Sequence, residues 1–383
     1  MLSFFRKFQD KSADYESLIE VRILSEHILH NLDVFAEKAP AWNIAPVLKS
    51  NAYGHGLVEV ARILEGDPRV AFLIVDSYYE ARVLRTEGIE TPLLVLGYTL
   101  TNNITNSPFK NVAFSVGSLT QLKELVEAGD TIPIHLKFDT GMHRQGILPN
   151  ELDGVFKLLT NNQELRIEGV CSHLADADGS DPAFTETQIG LWNAIVERFK
   201  KERPEVTFFH LSATKGVGYS KNIQANVLRL GLGLYGIDPA GEMEELKPAL
   251  ELNTRITALR TIGKGEHVGY NKTFTALRQT KVATIPVGYY EGIDRRLSNK
   301  GFVEVRPPGE VEPLMCPLIG RISMNMSCVD VTDVQNVKEE DEVVVISSDS
   351  TKQNSVQAMA EICGTIPYEI LVHVNPSLRR RVI

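Results

Sequence analysis

From residue 44 to residue 235 the sequence repeats one alternation, a short apolar run followed by an amphipathic stretch that stops at glycine. The apolar runs lie at 44–49, 71–75, 93–96, 112–116, 132–138, 167–172, 206–211 and 227–235. Runs this short and this apolar read as strands covered on both faces. The segments between them carry helical spacing. Residues 57–64 stop before Gly66, 77–86 before Gly88 and 119–128 at Gly129, and glycine just past a periodic run ends a helix. Ser77 and Ser118 stand where N-caps are needed, and 184–201 is the clearest helix. Eight covered strands in βα alternation predict a (β/α)8 TIM barrel. An open doubly wound sheet fits the same pattern, because the link 98–110 is polar with little helical spacing.

Beyond about residue 251 the pattern changes. The runs 255–262, 281–287, 302–305, 327–331 and 342–346 are β-branched and separated by Gly, Pro and Asn, with one helical stretch near 356–362. That predicts a mostly β C-terminal domain. A length of 383 residues suits two such domains. The expected boundaries are 15–250 for the barrel and 251–383 for the β domain, with segment 1–14 packing near the latter. The joint at Lys247-Pro248 is short.

Several function classes are disfavoured. The formal net charge is -9 and no Lys/Arg-rich block occurs beyond Arg379-Arg380-Arg381, so neither nucleic acid nor an anionic membrane surface is an expected partner. The four cysteines, Cys171, Cys316, Cys328 and Cys363, form no CxxC pair. Few cysteines, an early-charged N-terminus and no apolar stretch of spanning length lead to the expectation of a cytoplasmic protein.

Reactive side chains collect where the predicted strands end. Lys49 closes the first, ahead of the glycine-flanked turn Ser50-Asn51-Ala52-Tyr53-Gly54-His55-Gly56. Lys137, Asp139 and Arg144 follow the fifth, and His173 ends the sixth. His210 and Thr214 lie at the seventh, and Arg229 with Gly231, Leu232, Gly233 and Gly236 at the eighth. In a barrel of this type the strand C-termini form the active site. A lysine delivered to a pocket by a strand is the side chain that forms Schiff bases with carbonyl cofactors. A lone strand-end lysine or histidine is more often solvated or structural, but polar groups at five strand ends together are not explained that way.

The segment Val47–Gly56 resembles the pyridoxal phosphate lysine motif of the alanine racemases, and the likeness extends from about Ser17 to the C-terminus. It is carried by Lys137-Phe138-Asp139-Thr140-Gly141-Met142-His143-Arg144, Ser172-His173-Leu174-Ala175-Asp176-Ala177-Asp178, Leu228-Arg229-Leu230-Gly231 and Leu234-Tyr235-Gly236. In the β domain it is carried by Val268-Gly269-Tyr270, Pro286-Val287-Gly288-Tyr289 and Gly320-Arg321-Ile322-Ser323-Met324.

The resemblance implies a homodimer that racemises L- and D-alanine with pyridoxal 5'-phosphate and supplies D-alanine for peptidoglycan. Lys49 would hold the cofactor and serve one face of the substrate. Tyr270 of the second subunit would serve the other. Tyr53, Thr214, Tyr368 and the N–H groups of Gly231 and Leu232 would hold the phosphate, as hydroxyls and glycine-rich amides do. Arg229 would face the pyridine nitrogen and leave it unprotonated, and His173 would stack on the ring or couple to Arg229. Arg144, Met324 and Tyr289 would lie on the substrate side, and Lys137 matches a lysine that relatives carry as a carbamate. No metal is implied.

Some positions depart from the family pattern. Ala213 stands where relatives usually have Asn, Asn325 follows Met324 in place of Asp, and Tyr290-Glu291 replaces Ala-Asp. An insertion lies between Arg296 and Gly320. Competing readings are a racemase of serine, lysine or arginine, which the bulk of Tyr289 and Tyr368 disfavours, and a decarboxylase of the same barrel class, which Arg229 disfavours. A non-catalytic cofactor carrier would leave Tyr270 without a role. A metal hydrolase using His135, His173 and His210 lacks a strand-end His-x-His pair.

Overall fold

The computed structural model describes residues 16–383 apart from 130, 163, 178, 180, 239–241 and 310–311. Segment 1–14 and Asp178 of the histidine motif therefore lie outside the described residues. The chain divides into two compact units, one spanning Leu24–Ala249 and the other joining residues 16–23 to Leu250–Ile383. The first strand, β1 (Ile19–Ile23), thus belongs to the unit formed by the far end of the chain.

The Leu24–Ala249 unit holds eight parallel strands: β2 (Asn43–Pro46), β3 (Leu73–Val75), β4 (Leu93–Val95), β5 (Val112–Val116), β6 (Ile134–Lys137), β7 (Ile167–Cys171), β8 (Phe208–His210) and β9 (Val227–Leu230). Strands β3 to β8 form one sheet in sequential order, and β2 pairs with β9. Two seams close the ring. Ile44 and Val47 bridge to Val70 and Ile74 on one side. On the other, Asn226 N–H donates to Phe209 O at 3.0 Å and Arg229 N–H to Ser212 O at 3.1 Å. This is the (β/α)8 barrel, and the closed seams exclude the open sheet.

Local sequence explains the helices around it. Ser77 caps Tyr78–Thr86 in a capping box with Glu80. Ser118 caps Leu119–Ala128, which ends on Gly129 in the left-handed region. Asp181 caps the 21-residue helix Pro182–Glu202. The polar link 98–110 does form one short helix, Thr101–Thr105. The eighth run stops early: β9 ends at Leu230 and a tight 3-10 turn, Leu232–Tyr235, follows. That turn leaves through Gly236 at φ 78, where an added Cβ would collide with the Lys247 carbonyl.

The second unit is built on a nine-stranded sheet. Its strands are β1 with β10 (Leu250–Arg255), β11 (Ala258–Ile262), β14 (Thr280–Ile285), β15 (Phe302–Arg306), β16 (Leu314–Ile319), β17 (Ser327–Asp330), β18 (Glu342–Ile346) and β19 (Arg380–Val382). The order is β11-β14-β17-β16-β15-β18-β10-β1-β19. The small hairpin of β12 (His267–Val268) and β13 (Phe274–Thr275) stands apart. The run read as one strand over 255–262 is two, β10 and β11, with a break at Ile256-Thr257.

Gly236→Ala should lower the stability of the protein by about 3 kcal/mol or more, because both backbone sign and space forbid a side chain there. Thermal unfolding of the variant beside Gly218→Ala, where an added Cβ meets nothing within 4 Å, checks this.

Candidate active site

Strand β2 delivers Lys49 to the barrel's C-terminal end, and the chain then makes an uncommon turn. Ser50, Asn51, Ala52 and Tyr53 have φ of 56, 57, 51 and 50°. This is a full left-handed helical turn made without glycine, at roughly 1–2 kcal/mol per residue. The sequence reading put the permissive backbone at Gly54 and Gly56; the strain falls on the four residues before them. Hydrogen bonds hold the turn. Ser50 N–H donates to Glu80 Oε1 at 2.7 Å, Ala52 N–H to Leu48 O at 2.8 Å, and Leu57 N–H to Asn51 Oδ1 at 2.9 Å. Glu80 therefore serves both its own helix cap and the Lys49 turn. The turn drives Tyr53 inward, where its ring lies 5.1 Å from that of Tyr235. An added Cβ on Gly231 would stand 3.1 Å from the Tyr53 hydroxyl.

Arg229, on β9, is buried across the same end of the barrel. Its Nη1 donates to His210 O at 2.7 Å and to His210 Nδ1 at 3.0 Å. Its Nη2 donates to Ser172 O at 2.7 Å, Leu211 O at 2.8 Å and His173 Nδ1 at 2.9 Å. A guanidinium only donates, so both imidazole Nδ1 atoms are acceptors. His210 then carries its proton on Nε2 and donates it to His135 Nδ1 at 2.8 Å. Gly169, opposite His135 in the β6–β7 register, leaves the space that ring fills. Both His210 nitrogens are thus committed within the barrel, which removes it as a metal ligand. The Nε–H of Arg229 is the guanidinium donor with no partner among the described residues.

Positive charge gathers around this arginine. Burial first, and the Arg229 charge second, push His135 and His173 down to about 3. For His173 the charges of Arg144, Lys137 and Lys49 add to the effect. Burial also lowers Lys137, with Cys171 opposing and Arg229 and Arg144 reinforcing. Lys137 Nζ donates to Gln145 Oε1 at 3.1 Å. The charges of Arg229, Arg144, Lys137 and Lys49 thus all reach His173.

Beside them lies a small polar cradle. Gly233 N–H donates to Thr214 Oγ1 at 3.3 Å. The N–H groups of the buried Gly231 and Leu232 find no hydrogen-bond acceptor among the described residues. Buried amides without acceptors are rare in folded proteins.

The other candidate residues sit in the β unit. Tyr270 follows Gly269 (φ 74) and is 67% exposed. Tyr289 and Met324 are exposed on neighbouring loops, and Tyr368 lies in the helix Pro367–Val372, partly exposed.

Comparison with known proteins decides the family. "Alanine racemase, N-terminal domain" matches residues 23–239 and "Alanine racemase, C-terminal domain" residues 249–382. The alanine racemase of Sorangium cellulosum is 34% identical over 375 residues, 92% of this chain and 96% of its own. The chain belongs to the alanine racemase family. That family is one of pyridoxal phosphate-dependent isomerases. Among solved structures, alanine racemase from Bacillus anthracis with bound L-Ala-P has a TM-score of 0.84 at 30% identity, covering 97% of this chain and 96% of that one. A Bartonella henselae alanine racemase with covalently bound pyridoxal phosphate shares the fold, with a TM-score of 0.82 at 24% identity over 96% of this chain and 100% of that one.

The arrangement about Arg229 suits such a cofactor on this chain's own chemistry. The free Arg229 Nε–H matches a ring nitrogen that accepts, and the two open amides beside Thr214 and Tyr53 match a phosphate. Two contributors carry no signal in the sequence, Glu80 and Gln145. His135 and His210 serve structurally, together buttressing Arg229. Among the described residues no helix is long and apolar enough to cross a membrane.

The buried histidines predict an acid-sensitive fold. They stay neutral in the folded chain down to about pH 3, whereas an unfolded imidazole takes up its proton near 6.5. Below about 6.5 the unfolded state binds more protons, so stability falls as pH drops from there and is unaffected above it. The urea midpoint should decline between pH 6.5 and 5, and His135→Gln should make that decline shallower.

Proposed function

We propose that this protein interconverts L- and D-alanine with pyridoxal 5'-phosphate, as a homodimer whose sites combine Lys49 of one chain with Tyr270 of the other. The product would be D-alanine for peptidoglycan, made in the cytoplasm. The observation that carries the reading is Arg229, buried at the strand ends with its terminal nitrogens engaged by His173, His210 and backbone carbonyls and its Nε–H without an acceptor among the described residues.

When bound, pyridoxal phosphate withdraws electrons from the substrate's Cα–H bond. Protein side chains do the rest. The Lys49 amine would hold the cofactor covalently and carry the α-proton on one face. Tyr53, Thr214, Tyr368 and the N–H groups of Gly231 and Leu232 would take its phosphate. Arg229 keeps its own protons at neutral pH, so its Nε–H would face the pyridine nitrogen without protonating it, a setting that would favour simple return of the proton over side reactions. His173 and His210 fix the edges of Arg229 and so its plane.

On the substrate side, Arg144 would bind the carboxylate, with Tyr289 and Met324 bounding the small side chain. Burial of Lys137 favours its neutral amine, the form that adds carbon dioxide. A carbamate there would balance Arg144. Tyr270 supports the dimer reading: it is exposed, and its hydroxyl has no hydrogen-bond partner among the described residues. A racemase needs a proton carrier on each face, and one lysine cannot serve both.

Lys49→Ala should abolish the visible absorbance of covalently held cofactor and nearly all racemisation; an unchanged spectrum would place the attachment elsewhere. Mixing Lys49→Ala chains with Tyr270→Phe chains should restore activity, since a mixed dimer has one site with both lesions and one with neither. Persistent inactivity in demonstrably mixed dimers would point to a site within one chain. In Tyr270→Phe alone, solvent deuterium should still exchange into D-alanine. Exchange into L-alanine should drop by roughly 10²–10⁴-fold, the contribution of a positioned general base.

A further inference from the structure

Glu291 and Asn325 are two separate departures from the family pattern in the sequence, and the β unit joins them. Strands β14 and β17 pair antiparallel with Ile285 opposite Ser327, so residues 286–292 and 321–326 leave the sheet at one end. The two loops run side by side. Tyr289 N–H donates to Ser323 O at 3.1 Å, Tyr290 N–H to Met324 O at 2.9 Å, and Ser327 Oγ to Val287 O at 2.7 Å. They approach so closely that an added Cβ on Gly288 would collide with the carbonyls of Ser323 and Met324.

Glu291 locks this arrangement. It is 5% exposed. One carboxylate oxygen accepts from Gly288 N–H at 2.8 Å and the other from Asn325 Nδ2 at 2.8 Å. Its carbonyl accepts from Asn375 N–H at 3.2 Å, which ties the loop to the next segment. A carboxylate offers acceptors only. An aspartate at 325 would set acceptor against acceptor, so the glutamate and the asparagine are two halves of one bridge.

We propose that the Glu291–Asn325 bridge is a positioning latch that fixes the loops carrying Tyr289 and Met324, and through them the fit of the substrate's side chain. Tyr289 and Met324 are 45% and 55% exposed, and no side-chain hydrogen bond holds either one among the described residues. Their places depend on their backbones, and the latch ties the two backbones together. In this proposal the latch residues act through Tyr289 and Met324 and not on substrate directly. The inference rests on the assignment of Tyr289 and Met324 to the substrate side.

The test uses the holoenzyme and an exchange of donor and acceptor. Asn325→Asp removes the donor. Adding Glu291→Gln to it turns the bridge round while Gly288 N–H keeps an oxygen to bind. Asn325→Asp should raise KM for L-alanine about 10-fold, the scale of one lost charge-assisted hydrogen bond. Turnover should change less than about threefold, the cofactor absorbance should stay the same, and the preference for alanine over serine should narrow. The double variant should return KM to within about threefold of the parent. A lower melting temperature with unchanged KM in Asn325→Asp would make the bridge merely structural and overturn the proposal, as would a double variant that regains stability but not KM. Tyr289→Ala and Met324→Ala separate the two readings. If both leave KM unaltered, the substrate-side assignment itself fails. If they raise KM while Asn325→Asp does not, only the latch fails.

Discussion

The site depends on one buried cation. Arg229 stands inside the barrel mouth with its two terminal nitrogens spent on three backbone carbonyls and two imidazoles. An isolated buried charge would cost many kcal/mol, and carbonyl dipoles with neutral imidazoles compensate it without introducing a negative partner. Those carbonyls belong to Ser172, His210 and Leu211, at the ends of β7 and β8, so the arginine also ties neighbouring strand ends together. Burial first and its charge second keep His173 and His210 unprotonated, and their unprotonated Nδ1 atoms are what it binds. The arrangement is self-consistent in one protonation state.

A second constraint is conformational. Four consecutive L-residues in the left-handed region after Lys49 are tolerated because Glu80 and the Leu48 carbonyl accept from the turn's amides and the Asn51 side chain ties the turn to Leu57 N–H. Strain of this kind persists where surrounding structure over-determines it. Here the surroundings are the adjacent β3-to-helix connection and the helix beginning at Leu57. The outcome is a lysine and a tyrosine, four residues apart, both directed at the barrel's C-terminal end.

The β unit uses a different device. Its sheet gathers β1 and β19 from opposite ends of the chain beside β10. The loops carrying Tyr289 and Met324 leave the sheet as paired extensions of β14 and β17, laced by backbone hydrogen bonds and pinned by Glu291. The strands thereby set the backbone positions of these half-exposed side chains.

Local pattern was enough for the eight-fold alternation, most helix caps and the residues at the strand ends, because periodicity of apolar residues and capping chemistry act within a few residues. Lys49 and Arg229 stand at such strand ends, whereas Tyr270 is singled out only by the likeness to the alanine racemases. Closure of the barrel was not legible, since it depends on hydrogen bonds such as Arg229 to Ser212 between segments that sequence periodicity treats independently. Membership of β1 in the β unit escaped for the same cause, as its partners lie more than two hundred residues away. Glu80, His135, His210 and the pairing of Glu291 with Asn325 took their roles only when the fold set distant polar groups within 3 Å of one another. A polar residue announces its type in the sequence, but its partner, and therefore its charge state and its task, is chosen by tertiary structure.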